Sequence, residues 1–229
     1  MKHLLRAMLL GCLWMTPLIA NDIYVTQSGD NLDLDITQDG QNNVAGNSTT
    51  AISLTGSTMT FSISQVGDSN IVEASINGAT YTGNINLTGD SNTVDLDCAS
   101  GNCDTVSMSI DVTGDSADIT VDLGSTADTS DYTGTIDITS NNTETFTLTA
   151  NAAAADADID ITNTGVGSTL GNTSNYTQSG DGDVAGHSLT HSHTGEGATI
   201  DISQSGIYDA KIDLTTSGDS HDIDITQSD

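Results

Sequence analysis

Basic side chains are nearly missing from this chain. It carries 3 Lys+Arg against 32 Asp+Glu, and two of the three, Lys2 and Arg6, stand near its start. From residue 21 onward Lys211 is the single basic side chain, a formal charge of 1 − 32 = −31. Phosphate recognition needs clustered Lys and Arg, so nucleic acid is excluded as a partner, and an anionic membrane surface would repel the chain. The small partners that this charge admits are cations.

Proline is as scarce. The one proline, Pro17, lies in the first twenty residues, so every later backbone N–H is free to join a hydrogen-bond ladder. The same absence removes one common guard against edge-to-edge strand pairing. Aromatic residues make up 3% of the chain, which excludes a thick core built on large rings. Beyond residue 20 no apolar run is long enough to span a bilayer, so no membrane insertion is expected after the leader is removed. That leader is "MKHLLRAMLLGCLWMTPLIA": a positive start, an apolar stretch from Leu4 to Ile19, then Ala20 before the polar "NDIY". It reads as a secretory signal peptide, 1–20, cleaved near Ala20. The rival reading, a lipoprotein box at Cys12, would leave an acylated cysteine followed by the apolar "LWMTPLIA". Residues 21–229 then form a single domain.

High acidity with few aromatics often means disorder, but a period of two runs through this chain. "DLDIT", "NINLT", "SIDVT", "TIDIT", "DIDIT" and "TIDIS" each alternate polar and apolar residues, the pattern of a strand with one wet and one dry face. A longer period overlies it. Gly29 and Gly40 stand eleven apart, Gly56, Gly67, Gly78 and Gly89 continue in steps of eleven, and Gly195, Gly206 and Gly218 return to eleven and twelve. Eleven residues make a short strand and a tight turn, with glycine supplying the turn's backbone angles and Asp or Asn bonding its amides. Two units make a coil of about 22 residues that cannot bury its dry face alone, whereas stacked coils about 4.8 Å apart can. The expected fold is all-β: a single-domain β-solenoid of strand–turn–strand coils, roughly nine of them, or about 43 Å of stack.

One feature of the strands conflicts with a plain apolar interior. Gln27, Gln38, Gln65, Gln178, Gln204 and Gln227 each stand two residues before the turn glycine or its equivalent, on the dry side. Burying an unpartnered amide costs a few kcal/mol. In parallel, in-register coils, however, one amide can donate to its copy in the next coil, and a ladder results. Leu87, Val112 and Ile138 hold the same slot in mid-chain, so the ladder should be interrupted there by purely apolar coils.

These residues resemble the curlin repeat of curli fibres, whose core is Q-x-G-x-x-N-x-A. "QDGQNNVA" carries Gln38, Gly40, Asn43 and Ala45, and "QVGDSNIV" carries Gln65, Gly67 and Asn70 with Val72 for Ala. "QSGDGDVA" has Asp183 for Asn, and "LTGDSNTV" keeps Gly89, Asn92 and Val94 without the Gln. The Ser and second Gln that usually flank the repeat are replaced by Leu32 or Met59, and by Thr49, Ile76 or Leu189. The resemblance adds Asn43, Asn70 and Asn92 to the stacking ladder. It implies a secreted subunit that polymerises with itself into adhesive, biofilm-associated fibres, with a fibre nucleator and a dedicated outer-membrane secretion apparatus as further partners.

Other motifs read more plainly. "GDS" occurs four times, at Gly67, Gly89, Gly114 and Gly218, and repetition in register marks turn chemistry rather than a nucleophile, so no enzyme is expected. Asp30, Asp68, Asp90, Asp115, Asp181 and Asp219 follow the marker glycines. They are weak calcium candidates, solvated turn carboxylates being favoured, and no cofactor is required. Cys98 and Cys103 flank a turn in "CASGNC" and are expected to form a disulfide in an exported protein. His187, His191 and His193 alternate on what reads as a polar surface strand, with transition-metal binding as the rival, and "ANAAAADAD" reads as an irregular turn or one helical turn.

The function expected is therefore an extracellular fibre subunit, with strand edges left open where the chain enters and leaves the repeat. The alternative is a monomeric secreted acidic β-solenoid, an adhesin or calcium-binding module. Ice binding would need a Thr-x-Thr array, and the threonines here mostly alternate with Asp or core residues.

Overall fold

The computed structural model describes residues 21–47, 49, 51–98, 105–123, 131–150, 156–165, 172–179, 188–194, 198–205, 211–218 and 220–228. It is a β-solenoid with no helix among these residues. The strands are β1 (Asn21–Ile23), β2 (Thr26–Ser28), β3 (Asp33–Asp39), β4 (Asn42–Ala45), β5 (Ile52–Thr55), β6 (Met59–Val66), β7 (Ser69–Asn77), β8 (Tyr81–Thr88) and β9 (Ser91–Cys98). There follow β10 (Thr105–Leu123), β11 (Asp131–Ala150), β12 (Asp156–Gly165), β13 (Asn172–Ser179), β14 (Ser188–Thr194), β15 (Ala198–Ser205), β16 (Lys211–Ser217) and β17 (His221–Ser228).

Every pairing between them is parallel, and the pairings trace two walls. One wall climbs through β3, β6, β8, the first half of β10, the first half of β11, β12, β14 and β16. The other climbs through β1 and β2, β4 and β5, β7, β9, the second halves of β10 and β11, β13, β15 and β17. β10 and β11 serve both walls, with a shift of register between Gly114 and Ser116 where the chain turns.

The coil length varies around the expected 22 residues. Asn21 pairs with Asn43 and Asn70 with Asn92, steps of 22, whereas Asn43 to Asn70 is 27 and Asn92 to Ala117 is 25. The 27-residue coil is explained by one bulging loop. Ala45 pairs with Val72 and Ile52 with Ala74, so the chain between the first two partners is five residues longer than the single Glu73 between the second two. Insertion at the rim leaves the inward columns in phase, which is why the glycine spacing fades while the strand period persists.

Between the walls lies one continuous apolar core that includes Ile36, Phe61, Ile85, Ile110, Leu54, Ile76, Leu96 and Val121. Large and small residues alternate up one column, Phe61 over Gly83 over Met108 over Gly134, because a β-carbon on Gly83 would run into both Phe61 and Met108. The corners are closer still. Gly40, Gly67, Gly89 and Gly114 stack at one corner, and a β-carbon on Gly67 would overlap the Gly40 carbonyl oxygen. At the opposite corner Gly56, with φ of 144°, bears the same relation to Gly29. Glycine recurs in the sequence because the coils approach too closely at the bends for any side chain.

Candidate functional site, the amide ladders and an acidic wall

Gln38 and Gln65 face one another across β3 and β6, on the inside, at 4% and 0% exposure. Gln65 Nε2 donates to Gln38 Oε1 at 2.5 Å and to the Ile71 carbonyl at 3.2 Å, and Gln38 Nε2 donates to the Val44 carbonyl at 3.0 Å. Each amide thus ties one wall to the other and one coil to the next. The next residue in this column is Leu87, followed by Val112, Ile138, Asn163, His193 and Thr216. Leucine has no N–H to offer, so Gln65 Oε1 is buried without a hydrogen-bond donor.

The asparagines form a second ladder, on the other wall. Asn21 Nδ2 donates to Asn43 Oδ1 at 2.8 Å, Asn43 Nδ2 to Asn70 Oδ1 at 3.2 Å, and Asn70 Nδ2 to Asn92 Oδ1 at 2.8 Å. Asn43 also donates to the Val66 carbonyl at 2.7 Å, and Asn92 ends the run on the carbonyls of Gly89 and Thr113, at 3.1 and 3.4 Å. Asn43, Asn70 and Asn92 are buried, so their amides hold the corner where β-carbons are forbidden.

The six glutamines do not share one column. Gln27 lies on the asparagine wall and pairs with Leu54, and its column runs on through Ile76, Cys98, Leu123 and Ala150 to Gln178, Gln204 and Gln227. The physical reason is that eleven residues are half a coil. Successive half-repeats fall on opposite walls, and only residues a whole coil apart can stack.

The turn carboxylates are likewise divided. Asp68, Asp90 and Asp115 follow the stacked glycines of one corner, where Ser91 N donates to the Asp68 carbonyl and Ser116 N to that of Asp90. Asp30 is at the opposite corner, and its Oδ1 accepts from Ser57 N at 2.8 Å, ordinary turn chemistry. Asp181 and Asp219 lie outside the described residues. Among the described residues no three His, Cys, Asp or Glu side chains are placed to hold a metal ion. The serines of the first three GDS motifs, Ser69, Ser91 and Ser116, stack in register at the same bend.

Sequence reasoning missed a different carboxylate group. On the outside of the asparagine wall Glu73 pairs with Asp95 and Asp97 with Asp122, and Asp118 stands two residues along β10 from the Asp95 column. Glu73, Asp95 and Asp97 line a cavity of about 220 Å³ together with Asn47 and Ala51 of the bulging loop. Burial raises the pKa of Glu73, and the Asp95 charge adds to it. Burial also raises that of Asp95, with Asp118 and Asp122 adding. Nothing in the chain order joins these five residues; only the coil register does.

Cys98 is fully buried and disulfide-bonded, while Cys103 lies outside the described residues. His191 is not on a surface strand. It is buried at 1% exposure in an inward column between Ile161 and Leu214, because alternation from Leu189 points it into the core. His193 occupies the Thr216 column, and His187 lies outside the described residues. Within "ANAAAADAD", Asp156 to Asp158 belong to β12, and residues 151–155 lie outside the description.

At the two ends of the stack the ladders have one open edge among the described residues. β16 pairs with β14 and β17 with β15, and neither has a partner on its other side. β1, β2 and β3 pair with β4, β5 and β6 in the same one-sided way. Ile225 is 49% exposed at the end of a column in which Ile202, one coil below, is 3% exposed. No family model, curated protein or solved structure matches this chain.

Proposed function

We propose that the chain is an extracellular structural subunit of a curli-like amyloid fibre, which self-assembles by end-to-end stacking of its coils and supports cell adhesion and biofilm matrix. The observation that carries this reading is the pair of open ends. Among the described residues, a parallel solenoid that ends in unpaired strand edges and a half-exposed core isoleucine offers a template for another copy. The expected secretory leader supports assembly outside the cell, with a nucleator and a secretion pore as the further partners of this reading. The charge of −31 opposes assembly, so polymerisation requires salt or divalent cations. Incubation of the chain from Asn21 onward with salt and calcium, followed by thioflavin fluorescence and electron microscopy, tests this. Monomers that persist under every condition would overturn it.

A second reading rests on the acidic wall. Glu73, Asp95, Asp97, Asp118 and Asp122 bring like charges together on that wall, and a monomeric adhesin or calcium-binding module would use it through calcium. Calorimetric titration with calcium, run beside light scattering, separates the two. Calcium binding by a particle that stays monomeric favours the second.

A further inference from the structure

The last described rung carries the same repeat as the first. β17 and its counterpart at the other end read "HDIDITQS" (221–228) and "NDIYVTQS" (21–28), with Asp, Ile, Thr, Gln and Ser shared at five of the eight positions. The two segments also occupy the same columns. Asn21 and His221 end the column that runs through Asn43, Asn70, Asn92, Ala117, Glu144, Asn172 and Ala198. Gln27 and Gln227 end another. On the opposite wall Asp33 and Lys211 stand at the two ends of one outward column.

Resting on the fibre reading above, we propose that a second copy of this chain docks on β16 and β17 in one fixed register: its residues 21–28 continue β17, and its β3 continues β16. In that register Gln27 of the incoming copy stands on Gln227, so the amide column crosses the junction. Apolar positions meet throughout the inside, Ile23 on Ile223, Val25 on Ile225, Leu34 on Ile212 and Ile36 on Leu214. Lys211, the one basic side chain beyond residue 20, meets Asp33, and both are exposed in the separate chain. Tyr24 meets Asp224 without conflict. Two like-charge pairs remain, Asp22 on Asp222 and Asp35 on Asp213, and these set the need for salt or a divalent cation at the junction. A slip by one residue would turn all four apolar contacts outward and set Lys211 beside an apolar side chain.

Neighbouring rungs lie about 4.8 Å apart, within the span of a disulfide. The double variant Asp33→Cys with Lys211→Cys therefore links adjacent copies when assembled material is oxidised, and a non-reducing gel shows a ladder of multimers. The control Asp35→Cys with Lys211→Cys is offset by two residues and gives none. As a second readout, Lys211→Glu raises the critical concentration about tenfold at low salt, the size expected of two exposed charges that change from attraction to repulsion at this distance. Joining it to Asp33→Lys restores the original value. Fibres that form without the 33–211 link, or that link 35 to 211 instead, overturn the register and leave the fibre reading standing. Absence of any assembly removes both.

Discussion

Replacing Gln38 by leucine should destabilise the solenoid more than replacing Gln38 and Gln65 together. Gln38 Oε1 is the acceptor for one of the two N–H groups of Gln65, and the Gln65 carbonyl oxygen already lacks a donor. The single change Gln38→Leu leaves Gln65, at 0% exposure, with a second unmatched polar atom. A buried amide hydrogen left unpaired costs about 1–3 kcal/mol, and the bond from Gln38 to Val44 O is worth about 1 kcal/mol more. The added apolar surface of leucine returns about 1 kcal/mol, for a net loss of about 2 kcal/mol. Adding Gln65→Leu removes both unmatched atoms and sets leucine on Leu87, the arrangement that the next coils already use at Leu87 and Val112. The double variant should therefore lie within about 1 kcal/mol of the parent, a coupling of about 2 kcal/mol between the two sites. For a chain of this size 1 kcal/mol shifts the thermal midpoint by about 2–4 °C, so the double variant should melt several degrees above Gln38→Leu alone. Far-UV circular dichroism of dilute monomer at low salt measures this. Additive losses, with the double variant the least stable of the set, would refute the ladder as the reason for a glutamine on the dry face.

Three further outcomes follow from the same geometry. Gly67→Ala forces the bend away from the Gly40 carbonyl and should cost about 3 kcal/mol, read as a loss of soluble folded chain or a fall in urea midpoint. Thr58 and Thr80, with φ of 59° and 64°, hold β-branched side chains in the left-handed region, where Asn31 stands one coil below Thr58. Thr80→Asn should raise the urea midpoint, by about 1 kcal/mol of stability, and an unchanged midpoint would show that the strain is absent. Glu73 and Asp95 have folded-state pKa values above their ordinary 4.5 and 3.8, so the proton binds more tightly in the folded chain. Their contribution is full below those ordinary values and lost as pH rises through the raised ones, so stability should increase as pH falls from neutral toward 4.5 and 3.8. Glu73→Gln with Asp95→Asn should flatten that slope and raise stability at neutral pH, measured by denaturant titration across the range.

Period two in the strands and the corner glycines were legible in the sequence because both are local demands. Each strand must alternate to bury one face, and each bend must carry glycine where another coil passes within van der Waals distance. The pairing of Gln38 with Gln65 was legible too, since the bulging loop adds whole residues at a rim and leaves the phase of the columns intact. What stayed hidden depends on which wall a residue joins. Gln27 looked like a partner for Gln38, eleven residues on, but half a coil separates opposite walls. His191 looked like surface because its neighbours Thr190 and Ser192 are polar, yet its parity is that of Leu189, and parity decides which side faces the core. The cluster of Glu73, Asp95, Asp97, Asp118 and Asp122 needs coil steps of 22 and 25 residues to assemble, and those steps appear only when the register is known.

The distribution of amides along the stack bears on assembly. On the asparagine wall the column that begins at Gln27 carries no amide at Leu54, Ile76, Cys98, Leu123 and Ala150, then returns to glutamine at 178, 204 and 227. On the other wall Gln38 and Gln65 stand at the first two rungs, and the column is apolar through Leu87, Val112 and Ile138 before it turns polar again at Asn163. A buried amide is costly only when a partner is lacking, and in the middle of the stack a hydrocarbon side chain fills the slot with no such requirement. Gln65, Asn70 and Asn92 are buried and are kept inside the stack by the partners they find there, whereas Gln227 at the last described rung is exposed. The end rungs match at Asp, Ile, Thr, Gln and Ser because both carry the repeat, which residues 32–39 share with 221–228 at five of eight positions as well. A junction between copies uses that agreement, since it places Gln27 on Gln227. Replacing Gln27 or Gln227 by Glu should then impair growth from seeds while leaving the melting of the monomer nearly unchanged. An equal fall in both would return the amides to a purely internal role.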